Sequence, residues 1–461
     1  MKARQRAFRI LAPTAILGYG FPPASLAHGL EQNPDLIAVD AGSTDPGPYY
    51  LGAGKSFTDR LSVQRDLTAL MKAAVGRGIP LVVGTAGGSG AAAHVAWCSA
   101  IVEQIAQQQG LCFRLGIIAA DVDQATVLQA WRDGQIKPAA NAPQLTQQAI
   151  TESTCIVAQM GHEPIIEALD AGCDVILAGR AYDPAIFAAL PIARGFAVGL
   201  ALHLGKILEC AAIAATPGSG ADCVMGTLYE DRFVLESLNA ERQFTSESTA
   251  AHTLYEKSDP YHLPGPGGTL NLEKCTFTEL GDGRVEVKGT RFEAAEPYAV
   301  KLEGARRVGF RAISVAGVRD PIMIDQIDAV LGAVRDQVRG RLKADGIVGE
   351  VYFHVYGKDG VMGTMEPVRQ STAHELGLVL EAIAPTQEAA DSLCAMMRST
   401  LLHYGYNGRV STAGNLAFPF SPSDTSMGAV YEFSVYHLME TTPCALFPLT
   451  VSDIKATGEA L

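Results

Sequence analysis

Within eleven residues, Asp40-Ala41-Gly42-Ser43-Thr44-Asp45-Pro46-Gly47-Pro48-Tyr49-Tyr50, the chain gathers two carboxylates, two hydroxyls and two phenols on a backbone stiffened by two prolines. Carboxylates held in fixed geometry serve as general acid or base, and phenols can donate hydrogen bonds to a reacting oxygen. Asp40 and Asp45 are therefore the candidate acid–base residues. Tyr49 and Tyr50 are the candidate donors, and Ser43 is a candidate substrate contact. A second group, Gly84-Thr85-Ala86-Gly87-Gly88-Ser89-Gly90, stands between the apolar run PLVV and a helical stretch. Its glycines let backbone approach a ligand closely, and the helix start behind them favours an anion. Thr85, Gly87, Gly88, Ser89 and Gly90 are thus candidates for holding a carboxylate or an oxyanion; the competing reading is a tight strand-to-helix turn.

Two tempting nucleotide readings fail on spacing. The glycine run is not G-x-G-x-x-G, and no Lys-Ser/Thr follows it. Gly52-Ala53-Gly54-Lys55-Ser56 ends like a phosphate-binding loop, but Tyr49 occupies the position that needs glycine. Lys55 remains a candidate point charge for a substrate carboxylate or phosphate. Arg180, in Gly179-Arg180-Ala181-Tyr182-Asp183-Pro184, can grip a carboxylate bidentately or pair with Asp183. Asp183 before Pro184 also reads as a helix N-cap. His203, Lys206 and Cys210 share one helical face, which makes His203 a catalytic candidate. Cys210 lies two turns from His203, too far for a dependable nucleophile–base pair. No HExxH, clustered Cys/His spacing or calcium loop occurs. No metal ligand is assigned and no cofactor is specified; a divalent ion held by strand-end carboxylates is compatible with the residues but not indicated.

These residues need elements to position them. Short apolar runs, FRILAPTAI, DLIAVDAG, PLVVGTAGG, FRLGIIAAD, STCIVAQMG and DVILAGRA, alternate with helical stretches at 59–75, 94–109, 164–171 and 199–215. That alternation predicts an α/β fold with a largely parallel sheet and flanking helices in the N-terminal half. In such sheets ligands sit outside the carboxyl ends of the strands, where the candidate residues fall. Past residue 216 the chain turns more often. FTELGDGRVEVKGTRFE predicts a hairpin about Gly281-Asp282-Gly283, and helices are predicted over 325–343 and 386–403. The expected division is a 1–230 α/β domain and a 231–461 α+β domain that completes the cleft. The Tyr261–Gly268 and Gly414–Leu416 loops read as turns.

Composition narrows the setting. The net charge of −13 (36 basic against 49 acidic residues) argues against nucleic-acid binding, which needs a concentrated basic footprint. Nine scattered cysteines without a CxxC read as reduced thiols of a cytoplasmic protein. The basic, apolar start MKARQRAFRILAPTAILGYGF is broken by Pro13 and Gly18 and reads as a first strand rather than a cleaved leader. No uninterrupted apolar stretch is long enough for a membrane span.

Six ordered segments together resemble one family. VDAGSTDPGPYYLGAGKSF, GTAGGSG, ILAGRAYDPAIFAA, HLGKILECAAIAATPGSGADCVMGTL, SDPYHLPGPGGTLNL and SVAGVRDP are similar to the acyclic terpene utilisation family, AtuA, with likeness from about residue 8 to 440. The resemblance implies catabolism of branched terpenoid acids, such as products of citronellol and geraniol. It defines no reaction and hands over no catalytic residue. Some relatives carry a further small C-terminal domain, whereas this chain ends at KATGEAL. A separate small companion subunit is therefore expected, alongside self-association into a homo-oligomer. Two functions remain open. One is a lyase or hydratase acting on a branched carboxylic acid or its CoA thioester, a small acidic metabolite. The other is a non-catalytic acyl-ligand-binding or partner subunit.

Overall fold

A computed structural model describes residues 6–255, 259–346, 348–368, 370–410 and 413–455. The basic residues of the MKARQ start and most of the KATGEAL end therefore lie outside the described residues. Two compact units are present: residues up to 306 together with those from 433 onward, and residues 307–432.

The first unit is built on a ten-stranded sheet. Its centre is parallel: β1 (Phe8–Ala12), β2 (Leu36–Asp40), β3 (Leu81–Gly84), β6 (Val175–Ala178) and β4 (Phe113–Ile118) lie side by side in that order. Strands Val224–Leu228 and Arg232–Ser237 extend it beyond β1, so residue 230 lies inside this sheet. The predicted hairpin is present as Thr276–Glu279 paired with Val285–Lys288, and it continues the same edge. Leu449–Ile454 closes the other edge against β4. One expected member is elsewhere. STCIVA forms β5 (Ser153–Ala158), which pairs antiparallel with Leu302–Arg306 rather than joining the parallel run.

The nearly unbroken apolar character of the central strands follows from burial on both faces. Because side chains alternate along a strand, each strand feeds two cores. Ile10, Ala12, Leu36, Ala38, Val82, Ile176 and Ala178 meet Ala185–Ala193 and Val198–Leu208 on one face. Leu11, Ile37, Val39, Leu81, Val83, Val175 and Leu177 meet Arg60–Val75 and Ala92–Gln109 on the other. Each leucine, isoleucine or valine among them contributes about 1.5–3 kcal/mol by leaving water. The helices begin where sequence chemistry starts them: the Asp59 carboxylate accepts the Ser62 N–H at 2.9 Å, and Asp123 does the same for Thr126 at 2.8 Å.

This layering fixes the site. β3 and β6 are neighbours, yet β3 leads to the helix Ala92–Gln109 on one face and β6 to Ala185–Ala193 on the opposite face. In open α/β sheets the ligand crevice forms between such diverging connections, at the carboxyl ends of the strands.

The second unit pairs Phe310–Val318 with Leu376–Ala384, and Leu376–Ala384 with Glu350–Tyr356, all antiparallel. One sheet face packs on the helices Ile327–Asp345 and Gln387–Leu402 through Val334, Val338, Leu378, Leu380, Leu393 and Met397. Asn415 caps the second helix by donating to the Leu401 and Tyr404 carbonyls, each at 2.8 Å. Among the described residues no helix is long and apolar enough to cross a membrane, and no disulfide joins the cysteines.

Candidate active site

The β3 and β6 ends are stitched together at the crevice. The Ala86 N–H donates to the Ala178 carbonyl at 2.8 Å, and the Arg180 N–H donates to the Gly90 carbonyl at 3.1 Å. Gly90 has φ +70°, and a Cβ there would stand 2.3 Å from the Arg180 nitrogen. Only glycine permits that approach. Gly87 (φ +78°) is held equally close to the His94 carbonyl, and Gly88 (φ +113°) lies over Phe57. The glycine run therefore brings two backbone segments together. Its helix start is also occupied, because the Ala92 N–H is bonded to the Asp121 carboxylate. Ser89 is fully buried, and its hydroxyl has no hydrogen-bond partner.

Arg180 is 2% exposed and is the hub of a buried polar network at these strand ends. Nε donates to Glu303 at 2.6 Å, and Nη1 donates to Asp183 at 3.0 Å and to the Ala181 carbonyl at 2.7 Å. Thr85, held at φ +46° where a β-branched residue is strained, stands 3.4 Å from Nη1 and accepts the Ala181 N–H at 3.3 Å. Glu303 is completely buried; it also accepts from Thr44 at 2.9 Å and pairs with Lys301 at 2.8 Å. Burial opposes its ionisation, but Arg180 and Lys301 outweigh that penalty and bring its pKa down to about 2. Glu303 and Asp183 in turn keep Arg180 charged against its own burial.

Asp40, at the end of β2, is the opposite case. It is buried; the Gly42 N–H reaches its carboxylate, while Oδ1 has no partner. Burial raises its pKa well above the ordinary carboxylate range. The charges of Asp183 and Glu209 add to that rise, and Arg180 only partly offsets it. Glu209 is itself buried and pairs with Lys206 at 2.6 Å, whose ammonium lies 4.7 Å from the centre of the Tyr255 ring. The Tyr182 phenol is likewise kept protonated by burial and by Glu209 and Asp183. Among the described residues, then, Asp40, Asp183, Glu209 and Glu303 face Arg180, Lys206 and Lys301. Keeping a proton on Asp40 balances the charges. Asp183 carries the most solvent contact of the Arg180-bound acids, with 26% of its side chain exposed.

The sequence candidates divide accordingly. Asp40, Thr85, Arg180 and Asp183 converge. The helix after Asp183 starts at Ala185 with no side-chain cap, so Asp183 serves Arg180 instead of capping. Asp45 is exposed and bonded by the Ser43 hydroxyl at 2.9 Å. Tyr49 packs edge-on against Tyr50, which packs on Phe57. Lys55 is exposed, and its carbonyl, like that of Tyr50, lies 3.1 Å from His94 Nε2. His203 has both ring nitrogens engaged, by Thr290 at 2.6 Å and Thr253 at 3.1 Å. Burial, with Lys206 and His252, drives its pKa down to about 3, so it stays neutral and serves the helix packing there. The Cys210 thiol is pushed up to about 12 by burial and Glu209, which keeps it from acting as a thiolate. Sequence reading did not single out Glu209, Lys301 or Glu303. Their signal was faint but present: Lys301 and Glu303 alternate on one face of an otherwise apolar strand run, and Glu209 follows Lys206 by three on a buried helix.

Among the described residues no group of three or more His, Cys, Asp or Glu is arranged to hold a metal ion. What the site offers is proton chemistry: a buried carboxyl biased toward its protonated form beside carboxylates paired with cations, around a fixed guanidinium.

No curated protein and no solved structure matches the chain. The sequence profile of the acyclic terpene utilisation family protein AtuA matches residues 55–222 and 232–422, a span that includes Arg180, Asp183, Glu209 and Glu303 and leaves Asp40 outside. The chain belongs to the acyclic terpene utilisation family, AtuA.

Proposed function

We propose that this protein is a catabolic lyase or hydratase that acts on a branched carboxylic acid or its CoA thioester within acyclic terpene utilisation. The observation that carries the reading is Asp40, a buried carboxyl with an unpartnered oxygen, raised pKa and ionised neighbours. In a hydration, the proton of Asp40 goes to the α-carbon of a conjugated acid or thioester while water bonds to the β-carbon. Asp183 takes the proton that water loses. Transfer of that proton from Asp183 back to Asp40 restores the site, and the reverse sequence is the elimination. Arg180 supplies positive charge as the carbonyl oxygen gains electrons.

The test is turnover of branched α,β-unsaturated acids and their CoA thioesters, read by loss of the conjugated absorbance and by deuterium entering the product in D₂O. Asp40→Asn is expected to lower kcat by about 10²–10⁴-fold, the usual contribution of a positioned acid. Full activity in both Asp40→Asn and Arg180→Ala would sink the reading. The alternative is an acyl-ligand-binding or partner subunit. That alternative predicts binding across the panel with no turnover, alone or with a companion subunit.

A further inference from the structure

A second recess lies in the first unit, lined by neither Asp40 nor Arg180. Its volume is about 500 Å³, within the usual range for small-molecule sites. The body of the recess is apolar, made by Val198, Phe292, Ala294, Ala295 and Pro443. Its polar end is a small network: the Tyr298 hydroxyl donates to Glu163 Oε2 at 3.0 Å, and His162 Nε2 stands 3.8 Å from Glu163 Oε1. Two glycines let this network pack closely against the backbone. A Cβ on Gly161 would meet Glu163 at 2.3 Å and the Tyr298 hydroxyl at 2.7 Å; one on Gly267 would meet the Tyr298 ring at 2.4 Å.

The charge of the lining selects the ligand. Glu163 and Glu296 line the recess, and Glu167 accepts a hydrogen bond from the Cys444 thiol, next in the chain to the lining residue Pro443. Among the described residues no lysine or arginine lines it. His162 is held toward its neutral form by burial, only partly offset by Glu163. A carboxylate or phosphate would enter against two acids with no cation to receive it. A hydroxyl or ammonium can instead donate to the Glu163 oxygen that faces His162, while its hydrocarbon body covers Val198 and Phe292.

We infer that this recess is a binding site for a small molecule with an apolar body and a hydrogen-bond-donating, non-anionic head, the chemistry of an aliphatic alcohol or amine. It stands independently of the crevice and does not rest on the lyase reading. The site is a place to sense or hold a non-anionic hydrocarbon compound rather than the acid on which the crevice would act.

Isothermal titration of the full chain with three compounds of one branched carbon skeleton, ending in an alcohol, an amine or a carboxylate, tests it. The alcohol or the amine is expected to bind at least tenfold more tightly than the carboxylate. Ala295→Trp, at the exposed rim, is expected to weaken that binding at least tenfold while leaving the melting temperature unchanged. Glu163→Gln, which keeps a hydrogen-bonding group opposite Tyr298, should shrink the preference over the carboxylate. Carboxylate binding as tight as the alcohol's and the amine's, binding undiminished in Ala295→Trp, or no binding of either donor compound overturns the proposal. Activity in the crevice is unaffected by any of these outcomes.

Discussion

Asp40 and Glu303 are carboxyls buried in one network, yet they are driven in opposite directions. Glu303 has Arg180, Lys301 and Thr44 on it; Asp40 has the Gly42 N–H and otherwise mostly like charge. Stability should therefore respond to pH with opposite signs at the two residues. The pKa of Glu303 falls from an ordinary 4.5 to about 2 on folding, so its stabilisation is complete above 4.5 and is lost as pH drops toward 2. Asp40 binds its proton more tightly folded than unfolded. It costs nothing below the ordinary carboxylate range and destabilises progressively as pH rises from there. Glu303→Gln leaves a buried guanidinium and an ammonium short of an anion, a loss of about 3–5 kcal/mol in urea unfolding. Asp40→Asn should melt no lower than the wild type at pH 8 while losing turnover, and its stability should lack the Asp40-linked decline expected of the wild type on going from pH 4 to pH 8. A lower melting temperature at pH 8 would place Asp40 among the structural residues. Asp40 could be read from sequence because a strand-end acid is visible one-dimensionally. Glu303 could not, because its meaning depends on Arg180, 123 residues away.

At the scale of the element, the strand-end loops were legible and their use was only partly so. A glycine run after a strand marks positive φ and close approach, but it does not say what comes close. Here the visitor at Gly90 is the backbone of Arg180 rather than a ligand. Two glycines of nearly equal φ separate these causes. A Cβ on Gly172 (φ +76°) would have nothing within 4 Å, whereas one on Gly90 (φ +70°) would have the Arg180 nitrogen at 2.3 Å. Gly172→Ala should cost only the left-handed backbone penalty, about 1–2 kcal/mol. Gly90→Ala carries that penalty plus forced separation of the two loops, and a total of about 3–5 kcal/mol is expected by denaturant unfolding. It should also displace Arg180 and with it the environment of Asp40. Equal costs at the two positions would show that the loops are not locked together. The β5 strand shows the limit of pattern reading. STCIVA is apolar enough for a parallel sheet, and periodicity carries no record of the partner it takes, Leu302–Arg306.

The whole molecule is organised by a chain that leaves the first unit and returns to it. The departures fall inside two long strands, Ala299–Val318 and Asp424–Glu440, which read as unbroken β patterns and offer no loop, proline cluster or charge change to mark a boundary. The shift in turn content near residue 230 is real, but it marks the passage from parallel to antiparallel strands within one sheet. Departure and return are close together in the first unit. Arg306 pairs with Ser153 in the β5 ladder, and the Ser153 and Ser434 hydroxyls are 2.7 Å apart. The returning chain then supplies Leu449–Ile454, which pairs residue by residue with β4 from Ile118 to Phe113 and closes an otherwise open hydrophobic edge. Replacing residues 307–432 by a linker of about four to six residues should therefore leave a unit that unfolds cooperatively and keeps the Asp40–Arg180 network, since all the residues named in that network lie within it. Stopping the chain at residue 432 should do the reverse. It removes the edge strand while keeping the inserted unit, and soluble expression is expected to fall as β4 is exposed. A soluble, cooperative 1–432 fragment alongside an aggregated linker variant would mean that residues 307–432, and not the final strand, complete the first unit.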